Sequence, residues 1–199
     1  FTLRNVPDTD RIKAYIDEKK PRHATVIGGG FIGVEMVENL RERGIEITLV
    51  EMANQVMPPI DYEMAAYVHE HLQKHDVELV FEDGVDALEE NGTVVRLKSG
   101  SIIETDMIIL AIGVQPESSL AKDAGLSLGV KGTIQVNEKF QTSDPYVYAI
   151  GDAIEVKDFV TETETMIPLA WPANRQGRML ADIIHGHTDS VYKGTLGFK

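Results

Sequence analysis

The sequence predicts an α/β fold built on a parallel central sheet, and three observations carry that expectation. A β-branched run, His23-Ala24-Thr25-Val26-Ile27, meets a glycine-rich turn; helical periodicity follows from Val34 to Arg43; and a second β run, Ile47 to Val50, begins just past Gly44. Strand, turn, helix and strand in that order spell a βαβ unit, whose strands lie parallel because the helix carries the chain back to the starting end of the sheet.

The remaining elements follow in order. Residues 8 to 19, DTDRIKAYIDEK, open on N-cap candidates and place Ile12, Tyr15 and Ile16 on one face, so they predict an amphipathic helix that stops before Pro21. From Asp61 to His75 a further helix carries Met64, Ala65, Val68 and Leu72 at core-facing spacing and leads to a strand, Val77 to Phe81. After Gly84 the pattern changes to short strands. Asn91-Gly92 and Ser99-Gly100 suit the positive φ angles of hairpin turns, so an antiparallel β-meander is expected. The continuous apolar run Met107 to Ala111 reads as a central strand buried on both faces. Residues 144 to 152, DPYVYAIGD, read as a turn, a strand and a Gly-Asp ending, and Pro172 to His185 as a terminal helix with proline near its start.

Composition narrows the function. At 43% hydrophobic and 26% charged residues, the chain can bury a core. Its 19 basic and 32 acidic residues leave a formal charge of -13, which repels nucleic-acid phosphates and anionic lipid surfaces, so neither is an expected partner. No apolar run approaches the roughly 18 residues of a membrane span, and the expected location is cytoplasmic. With no cysteine, the chain holds no disulfide, thiolate metal site or thiol nucleophile of its own. The six histidines sit in polar or helix-terminal contexts without an acidic co-ligand pattern, and no metal is expected.

The chemistry lies in the turn Gly28-Gly29-Gly30-Phe31-Ile32-Gly33. A GxGxxG that follows a strand and opens a helix brings a pyrophosphate against the amides of the helix's first turn, and glycines remove the Cβ atoms that would block its approach. Gly28, Gly30 and Gly33 have that spacing and context, which marks a Rossmann-type dinucleotide-binding domain; a plain glycine-rich packing turn is the alternative. Glu51 closes the second strand at the position, about 20 residues on, where an acid accepts hydrogen bonds from the adenosine ribose. Its charge opposes a ribose 2′-phosphate, and the following Met52-Ala53-Asn54-Gln55 offers no basic side chain, so NADH is favoured over NADPH. Glu35, on the first turn of the helix, either gains from the helix dipole alone or reaches the nicotinamide carboxamide. Phe31 either covers the ring pocket or has no part in it.

Three separated stretches, VIGGGFIGVE at 26 to 35, DMIILAIGVQP at 106 to 116 and TSDPYVYAIGDA at 142 to 153, resemble signatures of the pyridine nucleotide-disulfide oxidoreductase family, in that family's order. EMANQVMPPID at 51 to 61 and IPLAWPANRQGR at 167 to 178 resemble, within it, bacterial coenzyme A-disulfide reductases that carry a rhodanese domain. The resemblance covers essentially the whole chain. It implies that Ala111, Ile112 and Gly113 lie beside the nicotinamide of bound NADH, that Val85 contacts the adenine region, that Ile32 and Met52 belong to the same NADH site, and that Phe31 gates nicotinamide access to a flavin. It also implies that Asp152 hydrogen-bonds the ribitol of FAD and that the backbone at Leu169 and Ala170 faces the flavin ring; a turn or cap aspartate is the plainer reading of Asp152.

The domain division implied is a connecting helix region at 1–20, an NAD(H)-binding domain at 21–144 and an incomplete FAD-domain segment at 145–199. The family's earlier glycine fingerprint, its redox cysteine and its dimerisation domain have no counterpart in these residues, so the resemblance implies an internal fragment of a homodimeric parent. That parent would use NADH, FAD and a cysteine to reduce coenzyme A disulfide or persulfide. The alternatives are an NADH oxidase or peroxidase of the same family, or, for this chain alone, an NADH-binding module without catalysis.

Overall fold

A computed structural model describes residues 1–187 and 191–196. By packing, the chain divides into two compact units, Phe1–Gly113 and Val114–Phe198. The sequence suggested boundaries after residues 20 and 144 instead. The difference has a physical origin at each end. Ile12 of the first helix is buried in one cluster with Met36 and Leu40, and Ile134 pairs with the backbone of Ala153 and Glu155.

In the first unit, helix α1 (Val6–Lys19) precedes strand β1 (His23–Ile27), helix α2 (Phe31–Glu42), strand β2 (Glu46–Val50), helix α3 (Tyr62–Lys74) and strand β3 (Val77–Val80). Strands β4 (Val85–Glu89), β5 (Val94–Leu97) and β6 (Ile102–Glu104) form the expected antiparallel meander, and β7 (Met107–Leu110) returns to the main sheet. That sheet is wholly parallel, in the order β3-β2-β1-β7. It is the arrangement of a Rossmann-type half. Strand side chains alternate between two cores. Ala24, Val26, Ile47, Leu49, Met107 and Ile109 face the helices with Val37 and Leu40, while Ile27, Val50 and Ile108 face the meander with Val95 and Leu97. Three layers result: helices, parallel sheet and meander.

The apolar run 107–110 is buried on both faces for this reason and not because the strand is central. β7 ends the four-stranded ladder, and Phe1 and Thr2 meet its outer edge, with the Leu110 amide donating to the Phe1 carbonyl at 2.7 Å. On α3, Ala65 and Leu72 are buried but Met64 is 58% exposed, so that helix buries a narrower stripe than its spacing predicted.

Helix α1 starts earlier than expected because Asn5 caps it. The Asp8 amide donates to Asn5 Oδ1 at 3.0 Å, and the Asn5 amide donates to Asp8 Oδ2 at 3.2 Å, a reciprocal capping box. Asn5→Ala should therefore cost about 1 kcal/mol. Urea denaturation checks it: the midpoint falls with an unchanged m-value, and an unchanged midpoint would remove the box from the account of α1.

The second unit is less regular. It contains α4 (Ser119–Asp123), the short pair β8 (Val156–Lys157) and β9 (Glu164–Thr165), and α5 (Ala170–Ile184) around Phe140, Ile154, Val156 and Tyr192. Residues 145–150 do not form the strand expected there. They make one isolated bridge, Gln141 with Tyr148, flanked by amide bonds from Thr142 to Val147 and from Ala149 to Phe140. Helix α5 begins two residues before Pro172, whose missing N–H costs nothing in a first turn where amides have no helical acceptor. Among the described residues no helix is long and apolar enough to cross a membrane.

Candidate functional site

The three motif glycines have different tasks. Gly28 sits at φ +104°, in the left-handed region, and a Cβ there would lie 2.4 Å from the Ala111 carbonyl oxygen. Its amide donates to the Val50 carbonyl at 2.8 Å, while the Ala111 amide donates to Ile27, so Gly28 is wedged where β1, β2 and β7 end. A Cβ on Gly33 would lie 1.9 Å from the Gly28 carbonyl oxygen and 3.5 Å from the Ala111 methyl. These two glycines answer to the protein's own backbone. Gly30 alone has nothing within 4 Å of where a Cβ would be.

Gly30 is also the N-cap of α2 and has no side chain with which to satisfy the first-turn amides. The first helical bond runs from the Val34 amide to the Gly30 carbonyl, which leaves the Phe31, Ile32 and Gly33 amides ahead of it. An open approach to uncapped amides at the positive end of a helix fits a pyrophosphate. Of the three glycines expected to open a ligand's path, only Gly30 therefore faces open space, whereas Gly28 and Gly33 permit the turn and the close packing of helix on strand.

Glu51 is half-buried beside this loop. Its Oε2 accepts from the Gly29 amide at 2.6 Å and its Oε1 from the Ala53 amide at 2.8 Å. Both oxygens retain lone pairs for further donors, so the carboxylate is fixed in place while still able to accept ribose hydroxyls. The segment after it is tied back to the glycines, with the Met57 amide donating to the Gly29 carbonyl at 2.8 Å.

Met52 is exposed and lies over Gly84, where a Cβ would come within 3.2 Å of its Cγ. Val85, next along, is half-buried against the core between sheet and meander. The structure therefore gathers Gly28, Gly30, Gly33, Glu51, Met52, Val85 and Ala111 around the ends of the parallel strands. Phe31 is half-exposed on the first turn of α2, with Ile32 half-buried behind it. Ile112 is 75% exposed, and Gly113 follows at φ +115° with open space around it. Glu35 lines a cleft of about 200 Å³ against α1, with Thr9, Lys13 and Asn39.

In the second unit, Asp152 is exposed on a single 3₁₀ turn, Gly151–Ala153, and Leu169 and Ala170 form the uncapped start of α5. Gln176 brings the two together: its buried side chain accepts the Gly151 amide at 2.7 Å and donates to the Tyr192 hydroxyl at 3.0 Å. Asp152 thus follows a left-handed glycine held by α5, and not the buried strand that the sequence suggested.

Two residues escaped the sequence reading. Gln176 stands in the stretch 167 to 178 with no signal of its own in the sequence. His69, expected in a polar or helix-terminal context, is half-buried, packed edge-on to Tyr62 and at 4.7 Å from the Phe81 ring, and its Nε2 accepts the Val56 amide at 3.1 Å. Burial holds its pKa below the usual histidine value. Its position beside Val68 and four residues after Ala65 was the available signal, because that is the buried stripe of α3.

The family model described as pyridine nucleotide-disulphide oxidoreductase matches residues 1–177. A coenzyme A disulfide reductase of Staphylococcus aureus (strain JH9) is 36% identical over 197 residues, covering 99% of this chain and 44% of that protein. The crystal structure of reduced Bacillus anthracis CoADR-RHD superposes with a TM-score of 0.97 at 92% identity, covering 99% of this chain and 35% of that one. A NAD-dependent persulfide reductase from A. fulgidus gives 0.91 at 34% identity, covering 98% and 36%. The chain spans less than half the length of each of these relatives. With a family model matching most of its residues and relatives aligned along nearly all of it, the chain belongs to the pyridine nucleotide-disulphide oxidoreductase family.

Proposed function

We propose that this chain is the NADH-binding portion of a flavin-dependent reductase, one that in its full length reduces coenzyme A disulfide or persulfide. The observation that carries the reading is the pairing of an open Gly30 at an uncapped helix start with a Glu51 carboxylate fixed by two amides. The relatives' names, coenzyme A disulfide reductase and NAD-dependent persulfide reductase, support the substrate class. The full protein in this reading is a cytoplasmic homodimer.

Within it, the first-turn amides of α2 hold the pyrophosphate, and Glu51 accepts the adenosine ribose hydroxyls while repelling a 2′-phosphate. Met52 and Val85 border the adenosine end; Phe31, Glu35, Ala111, Ile112 and Gly113 border the nicotinamide end. The bound nucleotide would supply a hydride for FAD. Asp152, with the backbone at Leu169 and Ala170, would bind that flavin, and Gln176 holds the turn that carries Asp152. This chain has no cysteine, so thiol chemistry is not among the steps its own residues perform.

Calorimetric titration of the purified chain tests the reading. NADH is expected to bind at one site, more tightly than NADPH, and absence of NADH binding would overturn it. The same preparation is expected to be colourless, because Asp152 and the start of α5 supply only part of a flavin site. Stoichiometric flavin absorbance near 450 nm (an approximate wavelength for the cofactor that carries the chemistry) would contradict that expectation.

A further inference from the structure

Between Glu51 and Asp61 the chain crosses from β2 to α3 with no regular structure, yet it touches the glycine turn at Glu51, Val56 and Met57. Its midpoint, Val56, is fully buried. Val56 Cγ1 would lie 3.1 Å from a Cβ on Gly29, and the next residue, Met57, at φ +53°, donates its amide to the Gly29 carbonyl. The Val56 amide therefore sits one residue from the bond that ties this loop to the glycine turn. Its acceptor is the ring nitrogen of His69, not a backbone carbonyl.

We propose that His69 is a positioning residue of the nucleotide site: its neutral imidazole accepts the Val56 amide and thereby seats the loop 51–61 against Gly29, and its protonation releases that loop. This rests on the reading of the site as a NADH site. The logic is that of donor and acceptor counts. An imidazole that accepts at Nε2 carries its proton on Nδ1; adding a second proton places an N–H against the Val56 N–H, and a buried amide loses its acceptor. The groups packed on His69 are Tyr62 of its own helix, the Phe81 ring beyond β3 and the Val56 amide. Of these only Tyr62 carries a titratable group, a phenol. Among the described residues the cause acting on the imidazole is burial, which keeps it neutral to lower pH than a free histidine.

The sign follows. A histidine whose pKa is lowered by folding contributes its stabilisation in full above its unfolded value, about 6.5, and loses it as pH falls through the lower folded value. In the whole 199-residue chain, followed by amide and histidine NMR from pH 8 to pH 5, the Val56 amide should shift and lose exchange protection with the midpoint of the His69 ring. A Val56 amide indifferent to that titration overturns the anchor. By calorimetry over the same range, the NADH dissociation constant of the wild-type chain should rise about tenfold through that midpoint.

His69→Gln, which places a non-titrating amide oxygen near the same point, should rescue binding at neutral pH and flatten the profile. His69→Leu, which offers no acceptor, should bind weakly at every pH. Should the leucine variant fail to fold, the glutamine profile decides alone: a fall in affinity as steep as the wild type's overturns the role of His69. A wild-type chain that binds no NADH at pH 8 overturns the proposed function, and the Val56 titration then judges the anchor separately.

Discussion

Gly33→Ala is expected to destabilise the first unit by about 3 kcal/mol or more, whereas Gly30→Val leaves it folded and abolishes NADH binding. The contrast follows from what each new Cβ meets. At Gly33 it meets the Gly28 carbonyl oxygen at 1.9 Å, and the obstacle is backbone at the junction of three strands, which cannot swing aside as a flexible side chain would. Relief requires α2 to lift away from β1, along with the burial of Met36, Val37 and Leu40 beneath it. At Gly30 the backbone is extended, at φ -71° and ψ -175°, a conformation any residue adopts, and nothing lies within 4 Å. A valine there occupies only the space through which a pyrophosphate would reach the α2 amides. Thermal unfolding should show a fall of about 10 °C for Gly33→Ala and almost none for Gly30→Val. Calorimetry should show no heat of NADH binding to the folded Gly30→Val protein. Retained affinity in that variant would remove the glycine turn from the nucleotide site.

That difference also shows what the sequence could and could not convey. The GxGxxG spacing, with a strand before it and an acid about 20 residues on, identified the turn because local geometry alone demands it. Which glycine serves which purpose depends on Ala111, far along the chain, whose carbonyl closes on Gly28 only once β7 lies beside β1. The run 107–110 was legible as a strand buried on both faces, but its place at the end of the ladder was not, since apolar composition records covered faces and not neighbouring strands. Residues 145–150 carried a strand's composition without a strand's ladder, because β-propensity needs a partner to be realised. His69 was hidden by its residue type. Read as a polar residue it interrupts nothing, whereas read by position it belongs to the stripe of Ala65, Val68 and Leu72. Its acceptor role toward a loop amide is a tertiary fact with no sequence signature.

Glu51→Arg should raise the affinity for NADPH relative to NADH by at least about tenfold, and at the same time weaken binding of both. The two effects have separate origins in one side chain. As a charge, the carboxylate repels a 2′-phosphate, and a guanidinium in its place attracts one. As an acceptor, it satisfies the Gly29 and Ala53 amides, and arginine, which has no acceptor, strands both at a cost of about 1–3 kcal/mol for each that water fails to reach. Glu51→Gln separates them, because it removes the charge yet keeps one carbonyl oxygen for an amide. If repulsion sets the preference, the glutamine variant shifts the NADPH-to-NADH ratio part of the way and loses less affinity than the arginine variant. If attraction to the new cation is needed, only the arginine variant shifts it. Calorimetric titration of all three proteins with both nucleotides distinguishes these outcomes, and a ratio unchanged in Glu51→Arg would show that the carboxylate braces the glycine loop without choosing the nucleotide.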